Sequence, residues 1–179
     1  MSRKQIVTLH LALAAFFAPL LIITGLSGGL YLFGEKGEVV KEVIYQEPIS
    51  DFDFATQDMQ QQIRQFIQNN NIEHEFEYVK GSGNTYYTRP TSKQHLVFSA
   101  KDDLLIVTKQ TPNFVKSIVE LHKGHGPTAF KVLQKIMSFG LMLILISGLF
   151  LGLTSPLYKT KTLYISGIGG LVFILLATL

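Results

Sequence analysis

The chain has 179 residues, of which 47% are hydrophobic, 16% are charged and none is cysteine. The absence of cysteine excludes disulfides, thiolate metal sites, iron–sulfur clusters and cysteine nucleophiles. The formal net charge is only +3, and no cluster of Lys and Arg is interleaved with aromatic residues. Nucleic acid is therefore not expected as a partner, and any bound metal must take His, carboxylate, Tyr or backbone ligands.

Three apolar segments dominate the hydropathy of the chain: Ile6–Phe33, Ile136–Leu157 and Leu163–Leu179. A helix needs about 20 residues to cross the hydrocarbon of a bilayer, so the first two segments are long enough and the third is at the short limit. The sequence therefore predicts a membrane α-helical protein with three transmembrane helices.

The basic residues at the segment ends predict the topology. Arg3 and Lys4 precede the first span, and Lys159 and Lys161 stand between the second and third spans. The positive-inside rule places both pairs in the cytoplasm, which leaves the long polar stretch in the periplasm of a bacterial inner membrane. The predicted organisation is a first transmembrane helix at 1–34, a periplasmic domain at 35–115, a periplasmic-edge segment and second transmembrane helix at 116–157, a cytoplasmic loop at 158–162 and a third transmembrane helix at 163–179.

The periplasmic stretch shows the patterns of a small α+β domain. Apolar residues recur at helical spacing in Asp58–Gln68, and the asparagines that follow would end a helix there. Period-two alternation then predicts antiparallel strands, separated by turn residues. The predicted strands are Glu73–Lys80, Thr85–Arg89, His95–Ala100 and Leu104–Gln110, with a further one over Val39–Tyr45.

The first of these predicted strands carries three carboxylates on one face: Glu73, Glu75 and Glu77. Hard cations favour oxygen ligands, so a ferric ion could bind there. The alternative interpretation is a solvated strand face. His74 and His95 are interpreted as ordinary strand residues.

Three histidines stand at membrane spans, where an ionisable side chain is a functional hypothesis. They are His10 in the first span, and His122 and His125 just before the second. Imidazole is also the usual protein ligand of haem iron, so the three are candidate haem ligands. The alternatives are hydrogen-bonded interfacial residues for His10 and His122, and a polar residue beside the Gly126-Pro127 helix break for His125.

Depth in the bilayer limits which histidines can cooperate. His10 lies roughly 35 Å along a helix from Phe33, so it belongs to the cytoplasmic leaflet and cannot meet the other two. His122 and His125, three residues apart on a helix, would point the same way and could not bind opposite faces of one iron. A six-coordinate haem would then need a second copy of the chain, which a two-fold homodimer supplies.

The motifs around these histidines resemble those of the PepSY-associated transmembrane family, particularly bacterial haem-containing membrane ferric reductases. The motifs are His10 followed by Thr24–Leu30, and Leu121-His122-Lys123-Gly124 before a span rich in Leu and Gly. The resemblance implies haem b, a periplasmic PepSY-like α+β domain, and reduction of ferric iron or a ferric chelate on the periplasmic side for iron acquisition. It further implies a cytoplasmic electron donor, with a ferrous transporter taking the product.

The larger members of that family have a second pair of spans with further histidines. This chain lacks them, so dimerisation is expected to replace the missing half. The rival hypothesis is a non-catalytic, membrane-anchored binding or regulatory module that acts through its periplasmic domain. A hydrolase is not expected, because the chain has neither a G-x-S-x-G nor an H-E-x-x-H motif.

Overall fold

The computed structural model describes residues 2–50 and 52–179. The chain divides into two compact units. Among the described residues, one is formed by residues 2–21 with 135–179, and the other by residues 22–50 with 52–134.

Three long helices are long and apolar enough to cross a membrane: α1 (Arg3–Leu32), α4 (Thr128–Leu153) and α5 (Lys159–Thr178). The three predicted transmembrane helices are thus confirmed. Helix α5 begins at Lys159, four residues before the apolar run, so most of the predicted loop is helical. The reason is that lysine is a good helix former, and its long stem lets the charged head reach water from within a helix.

Small residues bring the helices of the first unit together. A Cβ atom on Gly140 of α4 would overlap the ring of Phe17 of α1, which is only 4% exposed. A Cβ atom on Gly152 would lie 2.6 Å from the Thr162 hydroxyl of α5. Close approach of this kind is how membrane helices pack, because dispersion contacts replace the hydrophobic driving force there.

The second unit contains a five-stranded antiparallel sheet in the order β1-β5-β4-β3-β2. Two-residue turns that contain positive φ join two of its hairpins: Gly83 (φ 57°) stands between β2 and β3, and Asp102 (φ 51°) and Asp103 (φ 60°) between β4 and β5. Such turns match the right-handed twist of the flanking strands. The strands are β1 (Val39–Pro48), β2 (Tyr78–Ser82), β3 (Thr85–Arg89), β4 (His95–Lys101) and β5 (Leu104–Pro112).

Helix α2 (Met59–Asn69) covers one face of this sheet, as the sequence predicts. Its N-cap is Asp58, whose carboxylate accepts a hydrogen bond from the Gln61 amide at 3.0 Å. Ile63 of α2 and Phe98 and Val107 of the sheet are fully buried in the core between them. The combination of one helix and an antiparallel sheet confirms an α+β domain.

The structure differs from the predicted strands at residues 73–77. Strand β2 begins only at Tyr78, and residues 72–76 have no regular structure. The alternation of exposure is nevertheless real, because Phe76 is buried while Glu73, Glu75 and Glu77 are exposed. This segment therefore buries the Phe76 side chain in the core without forming a strand.

A short helix that the sequence did not predict as a separate element covers the other face of the sheet. Helix α3 (Phe114–His122) is capped by Asn113 and buries Ile118 and Val119. The prediction of one helix through His122 and His125 was wrong, because α3 ends at His122. Gly124 then adopts φ 75°, a left-handed conformation that glycine accepts without strain.

Candidate functional site

His10 of α1 is held by a serine of α4. Its Nδ1 lies 2.9 Å from the Ser147 Oγ, and that hydroxyl donates to the Leu143 carbonyl at 2.6 Å. Because the single serine proton is used on the carbonyl, the serine oxygen accepts from the ring, and Nδ1 carries the proton. The Nε2 atom of His10 therefore has a free lone pair.

His122, at the end of α3, is held in the same way by α1. Its Nδ1 lies 2.9 Å from the Thr24 carbonyl oxygen and 3.1 Å from the Ser27 Oγ. A carbonyl can only accept, and the Ser27 hydroxyl itself donates to the Thr24 carbonyl at 3.0 Å. Nδ1 of His122 is thus the protonated nitrogen, and Nε2 again has a free lone pair.

Each histidine ring packs against a Ser-Gly pair of another helix. The Cε1 atom of His10 lies 3.2 Å from where a Cβ of Gly148 would stand, and Cε1 of His122 lies 3.2 Å from the corresponding position on Gly28. Each serine holds Nδ1 while the neighbouring glycine makes room for the ring. In the part of the chain that the structure describes, Nε2 of neither ring takes part in a hydrogen bond.

This geometry suits a metal ligand. A ligating histidine almost always donates its other ring N–H to a carbonyl, carboxylate or similar acceptor, which fixes the tautomer and raises the basicity of the ligating nitrogen. The sequence did not predict a role beside the histidines for Ser27, Gly28, Ser147 or Gly148. The Ser-Gly pair alone could not have found this role, because it also occurs as Ser166-Gly167 in the third span, which has no histidine.

A cavity of about 390 Å³ lies beside His122. Tyr31, Leu32 and Val119 give it a largely apolar wall, and Lys123 contributes one cation. An apolar space with a histidine donor on one side and a cation at its edge fits the chemistry of haem, which has a flat apolar ring and carboxylate substituents. The residues present at His122 therefore fit the group that the sequence predicts.

His125 occupies a different environment from His122. Its Nδ1 lies 2.6 Å from the Oε2 of Glu120, and burial lowers its pKa while Glu120 opposes that effect. A neutral ring then donates Nδ1–H to the carboxylate. Because α3 ends before it, His125 and His122 are fixed by different partners.

Glu120 is the centre of a buried polar cluster on α3. Its carboxylate accepts hydrogen bonds from His125, from the Thr91 hydroxyl at 2.8 Å and from Lys123 at 3.1 Å, and Lys116 lies 3.3 Å away. Burial alone would raise the pKa of this carboxyl, but the hydrogen bonds from His125, Thr91 and Lys123 outweigh burial and lower the pKa to about 2. Glu120 is therefore ionised at neutral pH.

The three glutamates predicted to bind iron are not brought together around a metal position. Glu77 instead accepts from the backbone N–H of Thr128 at 2.8 Å and from its hydroxyl at 2.6 Å, which caps the first turn of α4. Hydrogen bonding from Thr128 accordingly lowers the pKa of Glu77. Among residues 2–50 and 52–179, no three His, Asp or Glu side chains are grouped closely enough to hold a metal ion.

His74 and His95 both have local partners. His74 Nε2 lies 2.9 Å from the Thr88 hydroxyl, and His95 Nδ1 donates to the Lys93 carbonyl at 2.9 Å. Burial lowers the pKa of both rings. His95 lies in β4, as interpreted from the sequence, whereas His74 lies in the irregular segment before β2 and is not a strand residue.

Comparison with known proteins gives one match. Searches among curated proteins and among solved structures found no similar chain. A protein-family model described as the PepSY-associated TM region matches residues 7–177, nearly the whole length, including both histidine positions. On that match, the chain belongs to the PepSY-associated transmembrane family.

Proposed function

We propose that this protein is a haem-dependent membrane electron-transfer protein that reduces ferric iron on the periplasmic side of a bacterial inner membrane. The observation that carries the proposal is the shared geometry of His10 and His122. Each ring has its Nδ1 proton fixed by helix oxygens and its Nε2 lone pair free, in a chain whose three long helices can cross a membrane.

The residues have distinct roles in this proposal. His10 and His122 supply iron ligands at the cytoplasmic and periplasmic edges, and Ser147 and Ser27 hold their tautomer and orientation. A homodimer would supply a second histidine at each level, because each level of one chain offers one such ring. Haem b, when bound, supplies one-electron chemistry that no side chain here provides.

The overall reaction moves one electron to each ferric ion and releases ferrous iron. The electron comes from a cytoplasmic protein or a diffusible reductant, and a ferrous transporter is the natural consumer of the product. The choice of iron as acceptor is supported by the resemblance to ferric reductases of this family. No carboxylate site for iron is included, since Glu77 is engaged with Thr128.

The first test is spectroscopic. Protein purified from haem-replete cells is expected to show a Soret band that shifts and sharpens on reduction, with haem quantified per chain. His10→Ala and His122→Ala are each expected to remove part of this intensity. His74→Ala is the matched control, because His74 is hydrogen-bonded to Thr88 within the α+β domain.

A colourless preparation, or full intensity in both ligand variants, would contradict the proposal and favour the membrane-anchored binding module. Reduction of ferric citrate by dithionite-reduced protein in liposomes then tests the acceptor. Loss of that reduction in the His122 variant, with the His74 variant unchanged, is the expected result.

The serine contact provides a finer test. Ser147→Ala removes the acceptor of the His10 Nδ1 proton and is expected to shift the reduction potential of the bound haem, because that hydrogen bond raises ligand basicity. Ser138→Ala on the same helix is the control, since the Ser138 hydroxyl donates only to the Lys135 carbonyl. Equal potentials in both variants would show that the serine contact does not tune a ligand.

A further inference from the structure

A row of polar side chains crosses the sheet on the face covered by α3. Lys41 of β1 pairs with Gln110 of β5, and Gln110 pairs with His95 of β4. Arg89 ends β3 on the same side of the domain. Together with residues of α3, these side chains line a cleft of about 350 Å³, which is within the range of small-molecule sites.

The cleft has an excess of positive charge. Four cations line it, namely Lys41, Arg89, Lys116 and Lys123, and Glu120 is the one carboxylate among its described lining residues. That carboxylate is already neutralised, since it lies 3.3 Å from Lys116 and 3.1 Å from Lys123 and accepts from His125 and Thr91. Lys41 and Arg89 have no carboxylate partner among the described salt bridges.

Arg89 is unusual among these cations because it is buried. Its side chain is 8% exposed, and one guanidinium nitrogen donates to the Thr91 hydroxyl at 2.6 Å. Its Nε is buried and has no hydrogen-bond partner in the described parts of the chain. Arg89 reaches the Glu120 carboxylate through the Thr91 hydroxyl, and that carboxylate is shared with Lys116, Lys123 and His125. A buried cation is costly unless its charge is compensated, and an anion in the cleft would add to that compensation.

We propose that this cleft binds a small di- or tricarboxylate anion. Carboxylate oxygens accept charge-assisted hydrogen bonds from lysine and arginine, which are stronger than neutral ones. Tyr87 and Gln110 also line the cleft and offer neutral donors. This inference goes beyond electron transfer and does not depend on it.

The carboxylates have two possible sources. One is a soluble polycarboxylate, and the other is the carboxylate edge of a cofactor held at His122. The second source is physically reasonable because Lys123 lines both this cleft and the cavity beside His122. The experiment separates the two by comparing haem-free with haemin-loaded protein.

The test is calorimetric titration of citrate into haem-free full-length protein in neutral detergent. Lys41→Gln is expected to weaken citrate binding by about three- to tenfold, as for loss of one charge-assisted contact. Lys41 is the variant of choice because it lines the cleft and forms none of the described salt bridges. Lys101→Gln is the control, because Lys101 is exposed at the far end of β4 and does not line the cleft. Binding is also expected to weaken as salt is raised.

Citrate binding that disappears on haemin loading would assign the cleft to the cofactor's carboxylates, and unchanged binding would assign it to a soluble anion; both support a carboxylate site. Absence of saturable binding, or equal affinity in the Lys41 variant and wild type, would overturn it. Because citrate binding by haem-free protein needs no electron transfer, a colourless protein that binds citrate would refute only the proposed function.

Discussion

Replacing Glu120 with glutamine tests whether its buried cluster stabilises the α+β domain. The change keeps the shape of the side chain but removes the negative charge that His125, Lys116 and Lys123 contact. The pKa of Glu120 falls from 4.5 to about 2 in the folded protein. At about 1.4 kcal/mol for each tenfold change in an equilibrium constant, this difference corresponds to about 3 kcal/mol.

We expect a loss of about 2–3 kcal/mol in the free energy of unfolding at pH 7. The lower end of this range allows for the lysine partners, which regain hydration when the carboxylate is removed. The sign of the pH dependence follows from the lowered pKa. The contribution of Glu120 is present above pH 4.5 and is lost as the pH falls toward 2. The glutamine variant should therefore lose less stability than wild type across that window.

Urea unfolding of the detergent-solubilised full chain, followed by the circular dichroism of the sheet, measures both quantities. Glu42→Gln is the matched control, because Glu42 and Lys109 form an exposed pair at 3.6 Å that is expected to contribute less than about 1 kcal/mol. The reasoning is refuted if Glu120→Gln costs no more than Glu42→Gln, or if wild type and the variant weaken in parallel between pH 4.5 and 2.

Two further predictions concern the glycine at His122 and the buried histidines. Gly28→Val should push the His122 ring aside and change the haem spectrum, whereas Gly29→Val, where a Cβ would meet nothing within 4 Å, should not; equal spectra would contradict the close fit. The α+β domain should lose stability as the pH falls below 6.5. Burial lowers the pKa of His74, His95 and His125, so the unfolded chain takes up protons at a higher pH than the folded chain does. Urea unfolding at pH 7.5 and 5.5 tests this, and greater stability at pH 5.5 would contradict it.

Local patterns predicted most of the elements. The period of 3.6 in Asp58–Gln68 matches α2, and Thr85–Arg89 has the same bounds as β3. Helix α3 was missed as a separate element because it is only nine residues long and runs toward the second span in the sequence. Its amphipathic face becomes visible only when the sheet that it covers is known.

The sequence alone predicts the membrane-spanning helices, the α+β domain and the candidate histidines, because apolar length and hydrophobic period are local properties. The free nitrogen of each histidine ring is known only from the fold. That depends on Ser147 and Ser27, which are far from His10 and His122 in the sequence but within 3.1 Å in space. The tertiary structure also gives His125 and His122 different partners. Gly124 turns the chain after α3, and His125 then donates its Nδ1–H to Glu120.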